Sequence, residues 1–261
     1  MSKFVRFEHQ GQARYAHEHD GVLQPLDRAP WLGGVAAGAE LPLAQATLLA
    51  PCEPRTIFAV GLNYRSHLGQ RPAPSDPEIF YKPVSALQRP GGPIVLPPEA
   101  EDVHFEGELV AVLGQTVRHA DRDQARAAIF GLTCGNDVSD RNWQRGPAKD
   151  LQWWRAKGAD TFAPLGPAVV TGLDSADRLL QTRVNGKTLQ RQSTSDLLFD
   201  VAAIICWISR WVTLAPGDLI YTGTPGNTCK LAPGDVVEVE IDGIGVLRSP
   251  VEATPLFTPA R

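Results

Sequence analysis

Cysteine, basic charge and long apolar runs are all scarce in this sequence, and each scarcity argues against a class of function. The four cysteines, Cys52, Cys134, Cys206 and Cys229, lie far apart with no C-x-x-C pair. That pattern speaks against a zinc-thiolate cluster or a dithiol redox motif and for reduced thiols. Lys and Arg number 25 against 29 Asp and Glu, for a formal net charge of −4. Phosphate contacts need a basic face, so no nucleic-acid partner is expected. The longest apolar stretch, residues 197–208, is interrupted by Asp200 and falls short of the ~20 residues that span a bilayer. The opening residues alternate and do not form an apolar run, so no signal peptide or membrane association is expected either. These absences together predict a soluble, cytoplasmic protein. No Gly-x-x-x-x-Gly-Lys run is present to cradle a phosphate.

What is present is core material and turn chemistry. Hydrophobic residues make up 43% of the chain, enough for a sizeable core, and the 22 prolines among 261 residues exceed the usual share of ~5%. Many turns and short strands follow from that, and an α+β, β-rich fold is predicted. Residues 1–52 read as a small N-terminal β domain and linker, and residues 53–261 as the main domain. Residues 56–60 and 78–81 are β-type runs, and residues 103–114 form one long run with period-two alternation. Asn185-Gly186 and Asp242-Gly243 each separate two such runs and suit two-residue hairpin turns. Pro216-Gly217-Asp218 and Pro233-Gly234-Asp235 are a local echo, each launching a strand. Helices are few. Asp121-x-x-Gln124 opens one as a capping box, continuing through residues 125–130 to Gly131, and residues 196–211 are apolar on most of a helical circumference.

The run 103–114 contains Glu106-Gly107-Glu108. Residues two apart on a strand share a face, which places the two carboxylates ~7 Å apart at Cα. Like charges so placed repel unless water surrounds them or a cation lies between them. Val110, Val112 and Leu113 make the neighbourhood apolar, and a third carboxylate, Asp137, ends another apolar segment. An all-oxygen set of this kind suits Mg²⁺, Mn²⁺ or Ca²⁺ better than zinc. The competing reading is a pair of carboxylates on a solvated strand face. His104 falls on the same face by the same arithmetic, either as a nitrogen ligand or as an ordinary strand-surface histidine.

Six segments in order, Gly61-Leu-Asn-Tyr, Phe80-Tyr-Lys-Pro, Phe105-Glu-Gly-Glu-Leu, Asn136-Asp-Val-Ser-Asp-Arg-Asn-Trp-Gln, Lys157-Gly-Ala-Asp-Thr-Phe-Ala-Pro-Leu-Gly-Pro and Tyr221-Thr-Gly-Thr-Pro-Gly, together resemble the fumarylacetoacetate hydrolase family over roughly residues 55–251. The resemblance implies the mixed β-sandwich roll of that family's C-terminal domain, usually a homodimer, with a short N-terminal β domain as in many bacterial members. It implies Mg²⁺ or Mn²⁺ held by Glu106, Glu108 and Asp137, and gives His104 no ligand role. It implies that Lys157 meets the substrate carboxylate or the developing enolate, that Arg141 and Gln144 bind a carboxylate, and that Lys82 and Thr224 contact a small anionic 2-oxo or enol acid. Lys82 has the alternative of holding a backbone turn.

His67 carries the choice of reaction. Hydrolytic and decarboxylating relatives follow this histidine, three residues later, with a glutamate that helps activate water on a lid. Here Gln70 stands in that place, and an amide can orient an imidazole but cannot stabilise its protonated form as a carboxylate does. Glu78 is the nearest substitute acid. The intact set of Glu106, Glu108, Asp137, Arg141, Gln144 and Lys157 with His67 implies by resemblance a metal-dependent C–C hydrolase of an acylpyruvate-like 2,4-dioxo acid in aromatic or sugar acid catabolism, while Gln70 favours the first of the alternatives. Its alternatives are an isomerase or decarboxylase of the 2-hydroxyhepta-2,4-diene-1,7-dioate or oxaloacetate type, and a non-catalytic keto-acid-binding protein.

Overall fold

A computed structural model describes residues 1–254. It is an α+β, β-rich structure in which a twelve-stranded mixed sheet and a five-stranded sheet pack against one another. The middle of the large sheet runs Ala163–Thr171, Ile129–Asn136, Gly107–Leu113, Leu219–Tyr221 and Ile57–Gly61, with Glu78–Lys82 at its edge. The small sheet contains the hairpin strands Leu179–Val184 and Lys187–Ser193, followed by Val236–Ile241, Gly245–Ala253 and Ile94–Leu96.

Gly107–Leu113 is buried along its whole length because it has a packed layer on each side. Leu109, Ala111 and Leu113 point towards the small sheet and pack with Leu180, Val239 and Ile241, and with Ile204 and Ile205 of a helix. Val110 and Val112 point the other way, into a cluster with Leu165, Val169 and Tyr221. Each such buried aliphatic side chain contributes about 1.5–3 kcal/mol of transfer free energy. A strand covered on both faces reads as a nearly continuous apolar run, so a carboxylate within it is conspicuous.

Local chemistry explains where several elements begin and end, and it corrects four expectations. The capping box at Asp121 and Gln124 is present, but the helix is only Arg122–Ala127. Ile129 and Phe130 enter the strand Ile129–Asn136, which pairs along Gly107–Leu113. The second helix is Val201–Ser209, since the Asp200 carboxylate accepts from the Ala203 N–H at 2.8 Å and caps it, while Asp196 belongs to a separate short turn. The run 103–114 is two strands, Val103–His104 and Gly107–Leu113, with Phe105 and Glu106 between them. At the hairpins, Asn185 and Gly186 both have positive φ, at 52° and 78°, as a two-residue turn requires. Asp242-Gly243 differs. The Ile244 N–H bonds the Ile241 carbonyl at 3.0 Å, and pairing resumes only at Gly245, so that connection has an extra residue.

The two Ala-Pro-Gly-Asp turns share one device. The Asp218 and Asp235 carboxylates each accept from the N–H of the alanine three residues earlier, at 2.8 Å in both cases. At the other end of the chain, Ser2–His9 pairs antiparallel with Ala163–Thr171, so the N-terminal strands continue the large sheet. Their own small core is Val5, Phe7, Ala16 and Leu23 with Ala168. Among the described residues no helix is long and apolar enough to cross a membrane.

Candidate active site

Two antiparallel strand ends assemble the carboxylates. Gly107 pairs with Asn136 and Glu108 with Gly135, which leaves Glu106 and Asp137 just beyond the ladder on adjacent strands. The Glu106 N–H bonds the Asn136 side-chain oxygen at 2.9 Å, and the Asp137 N–H bonds the Glu106 carbonyl at 2.8 Å. One oxygen from each of Glu106, Glu108 and Asp137 lies within 4.8 Å of the others, and all three residues are buried. Gly107 between them cannot be replaced cheaply, because a Cβ there would sit 2.0 Å from the Thr182 hydroxyl oxygen.

Cations are distributed unevenly over this set. Lys157 Nζ donates to Glu106 and to Asp137 at 2.6 Å each, Lys82 Nζ to Asp137 at 2.6 Å, and Arg141 Nη2 to Glu106 at 2.5 Å. Among the described residues no cation touches Glu108, whose carboxylate accepts the Gly223 N–H at 2.7 Å. Burial, then Asp137 and Glu106, push the Glu108 carboxyl well above the usual range. Burial acts on Glu106 in the same direction, but Arg141 and Lys157 overcome it and hold that carboxyl well below. Burial also presses Lys157 down, and Asp137 and Glu106 more than compensate, so the ammonium is strengthened. An all-oxygen set with one buried carboxylate lacking a cationic partner fits a hard divalent ion.

The surrounding groups form a cavity of about 230 Å³. His67, Glu78, Glu106, Glu108, Arg141, Gln144, Lys157 and Thr224 line it. His67 lies on the short helix Arg65–Leu68 with Nδ1 against the Gly226 carbonyl. That contact puts the neutral ring's proton on Nδ1 and leaves Nε2 as the acceptor. Burial lowers its pKa from the ordinary 6.5, with Gly226 and Glu106 opposing the shift. Arg141 begins the helix Arg141–Arg145, which the Asp140 carboxylate caps through the Trp143 N–H at 2.8 Å. Its Nη1 bonds Gln144 at 2.8 Å and its Nη2 the Thr228 hydroxyl at 3.1 Å. Thr228 is in turn 2.9 Å from His104 Nδ1, and His104 Nε2 is 3.0 Å from Asp102. His104 thus stands behind Arg141, outside the carboxylate set.

Of three further expected residues, Lys82 and Gln70 do not line the cavity, and Thr224, which does, has its hydroxyl engaged by protein groups. Lys82 is buried behind Asp137, bonded to it and to the Lys157 carbonyl. The Thr224 hydroxyl faces the backbone, donating to the Gly107 carbonyl and accepting from Gln190, at 2.9 Å in both bonds. Gln70 is exposed and does not line the cavity.

The pattern described as fumarylacetoacetate (FAA) hydrolase C-terminal matches residues 56–252. The chain belongs to the fumarylacetoacetate hydrolase family. A second pattern, Rv2993c-like N-terminal, matches residues 2–51. Bovine mitochondrial oxaloacetate tautomerase FAHD2A is 40% identical over 79% of this chain and 70% of its own length. The crystal structure of 5-carboxymethyl-2-hydroxymuconate delta-isomerase from Mycobacterium smegmatis superposes with a TM-score of 0.90 at 41% identity, covering 97% of this chain and all (100%) of that one. Maleylpyruvate hydrolase from Sphingobium sp. SYK-6, solved with manganese(II) and pyruvate, gives 0.79 at 28% identity, with 97% and 100% covered. The family thus includes tautomerases, isomerases and hydrolases, and this chain is an enzyme of it.

Several residues that shape the family site carry no catalytic signature in the sequence. Gln190 is buried, with its amide holding Thr224 and the Pro225 carbonyl, yet it sits in a hairpin that reads as plain strand. Asn63 ties the family segment at Gly61 to the Phe199 and Thr222 backbone through bonds of 2.7–2.9 Å. Trp153 and Phe80 form a cavity wall as an edge-to-face pair at 5.4 Å. Arg71 and Arg145 also line the cavity. Asn63 and Phe80 lie in segments that carry the resemblance, but nothing in the spacing of Gln190, Trp153, Arg71 or Arg145 pointed there.

Proposed function

We propose that this enzyme, with Mg²⁺ or Mn²⁺ held by Glu106, Glu108 and Asp137, moves a proton on a small anionic 2-oxo acid. The reaction interconverts its keto and enol forms or shifts its double bond. The observation that carries this is His67: a neutral imidazole lines the cavity, its Nδ1–H engaged by a backbone carbonyl and its Nε2 open as a base. Among the described residues no carboxylate is hydrogen-bonded to it. A base supported in this way accepts and returns a proton. It is less suited to remaining an imidazolium while water attacks.

When bound by Glu106, Glu108 and Asp137, a divalent ion would supply Lewis acidity beside the 2-oxo group. Arg141, braced by Gln144, takes the substrate's C1 carboxylate. Lys157 faces the negative charge that develops at the 2-oxo oxygen, from a dry position where such a charge–charge contact is strong. His67 Nε2 removes a proton from C3, and the same proton returns to oxygen or to a conjugated carbon, so no atom is gained or lost. Lys82 holds Asp137 in place and Thr224 holds the Gly107 backbone. Gln70 has no contact role in this scheme. The resemblance also leads us to propose a homodimer, which sedimentation of the purified protein tests.

A second reading, hydrolysis of an acylpyruvate-like 2,4-dioxo acid, is favoured by Glu78, a carboxylate in the same cavity as His67 that is able to serve an attacking water. One experiment separates the two. The metal-loaded protein is mixed with enol-oxaloacetate and, separately, with acetylpyruvate, and products are followed by enol absorbance and NMR. Accelerated enol–keto conversion with acetylpyruvate left intact supports proton transfer. Pyruvate and acetate from acetylpyruvate support hydrolysis, and release of CO₂ from oxaloacetate identifies decarboxylation.

A further inference from the structure

Two guanidiniums at the cavity take no part in the chemistry above. Arg71 follows the His67 helix and is held beside it, with Nε donating to the Leu68 carbonyl at 3.1 Å and Nη2 to the His67 carbonyl at 2.9 Å. Arg145 ends the helix that Arg141 begins. Both line the cavity and both are exposed, which places them at its mouth. Neither has a carboxylate within 4.0 Å among the described residues, although the exposed Glu78 lines the same cavity. Burial, and then the neighbouring Arg141, press the Arg145 ionisation down, with Arg71 adding to them and Glu106 opposing. Arg71, Arg141 and Arg145 all line this one cavity, where like charges repel.

At the floor each cation meets a carboxylate of the protein. Arg71 and Arg145 meet none. A guanidinium presents a planar fork of donors matched to a carboxylate, and an anion lodged between two of them relieves their mutual repulsion. We propose that Arg71 and Arg145 form a second anion site, which receives the far carboxylate of a 2-oxo dicarboxylic acid whose 2-oxo head lies at the carboxylate floor. The inference rests on the reading above only in where it places that head. It makes Arg71 and Arg145 specificity-determining residues, selecting dicarboxylates over monocarboxylates of the same length.

Calorimetric titration of the Mg²⁺-loaded protein with matched pairs tests this without turnover. The pairs are 2-oxoglutarate with 2-oxopentanoate, 2-oxoadipate with 2-oxohexanoate, and 2-oxopimelate with 2-oxoheptanoate. At least one dicarboxylate binds about tenfold more tightly than its partner, the size expected for charge-assisted contacts at a wet rim. The preference shrinks as KCl is raised. The double variant Arg71→Gln/Arg145→Gln, made at two exposed positions, loses the preference, and Arg145→Glu reverses it. Equal affinities within all three pairs overturn the proposal, as does a preference that survives in the double variant. If hydrolysis proves to be the reaction while the binding preference holds, the proton-transfer reading fails and the second anion site stands.

Discussion

At and just behind the floor of the cavity, Glu106, Asp137, Lys82, Lys157 and Arg141 stand at the ends of strands and short helices, joined by charge-assisted bonds of 2.5–2.6 Å. At its mouth, Arg71 bonds only backbone carbonyls among the described residues, and Arg145 is exposed. The floor is built into the sheet and stays in place because Gly107–Leu113 and Ile129–Asn136 are fixed by their layers. Buried charges add little net stability over apolar packing, so the floor is better understood as preorganised electrostatics than as a structural brace. The mouth guanidiniums meet no protein carboxylate within 4.0 Å among the described residues, which leaves them free to suit the outer end of a substrate. The proposed chemistry and the proposed selectivity are divided along that line.

Asp137→Asn breaks the floor side of the comparison most severely. Activity and bound divalent metal both fall to the detection limit in assay and elemental analysis. Lys82 loses its charged partner in a buried site, so urea unfolding also shows a loss of about 3 kcal/mol. His67→Asn removes the proton acceptor while the floor stays whole, lowering kcat by about 10²- to 10⁴-fold with metal content unchanged. The pH profile follows the same residue. Because burial lowers the His67 pKa from 6.5, the active neutral form persists and the acidic limb of kcat/KM lies below pH 6.5. In the unfolded chain the imidazole protonates first as pH falls. Its share of stability is therefore present above 6.5 and lost as pH drops through the lower folded value.

Thr228→Val tests how far the floor extends. It removes the hydroxyl between Arg141 and His104, a loss worth about 1 kcal/mol. KM rises about fivefold with kcat nearly constant, and Thr228→Ser restores it. Gln70→Glu is the smallest effect. The side chain is exposed and outside the cavity, so turnover stays within about twofold, as for other surface substitutions. A large rise in C–C cleavage would mean that the segment closes over the substrate and that mouth and floor act as one.

The floor was largely legible in the sequence because its residues lie in short ordered segments of unusual chemistry. Carboxylates inside an apolar strand invite a cation, and the segments around Asp137 and Lys157 carry the family resemblance. The pairing of Gly107 with Asn136 that joins these segments is a long-range register, which local periodicity does not encode. For the same reason the alternation over 103–114 overran the break at Phe105 and Glu106, and the helix predicted to Gly131 yielded to strand pairing at Ile129. Lys82 stood open between a substrate contact and a backbone-holding role, because a lysine in a family segment carries no mark of which side of Asp137 it occupies. Arg71, Arg145 and Gln190 were illegible because their role depends on three-dimensional placement beside residues distant in the chain.

The central claim is that the prearranged floor and His67 perform proton transfer. Its most direct test is the NMR time course of the metal-loaded enzyme with enol-oxaloacetate and acetylpyruvate together, run beside His67→Asn. The account predicts enol–keto conversion faster than in buffer, lost in the variant, with acetylpyruvate unconsumed. Accumulation of pyruvate and acetate with no acceleration of the enol–keto conversion would contradict it.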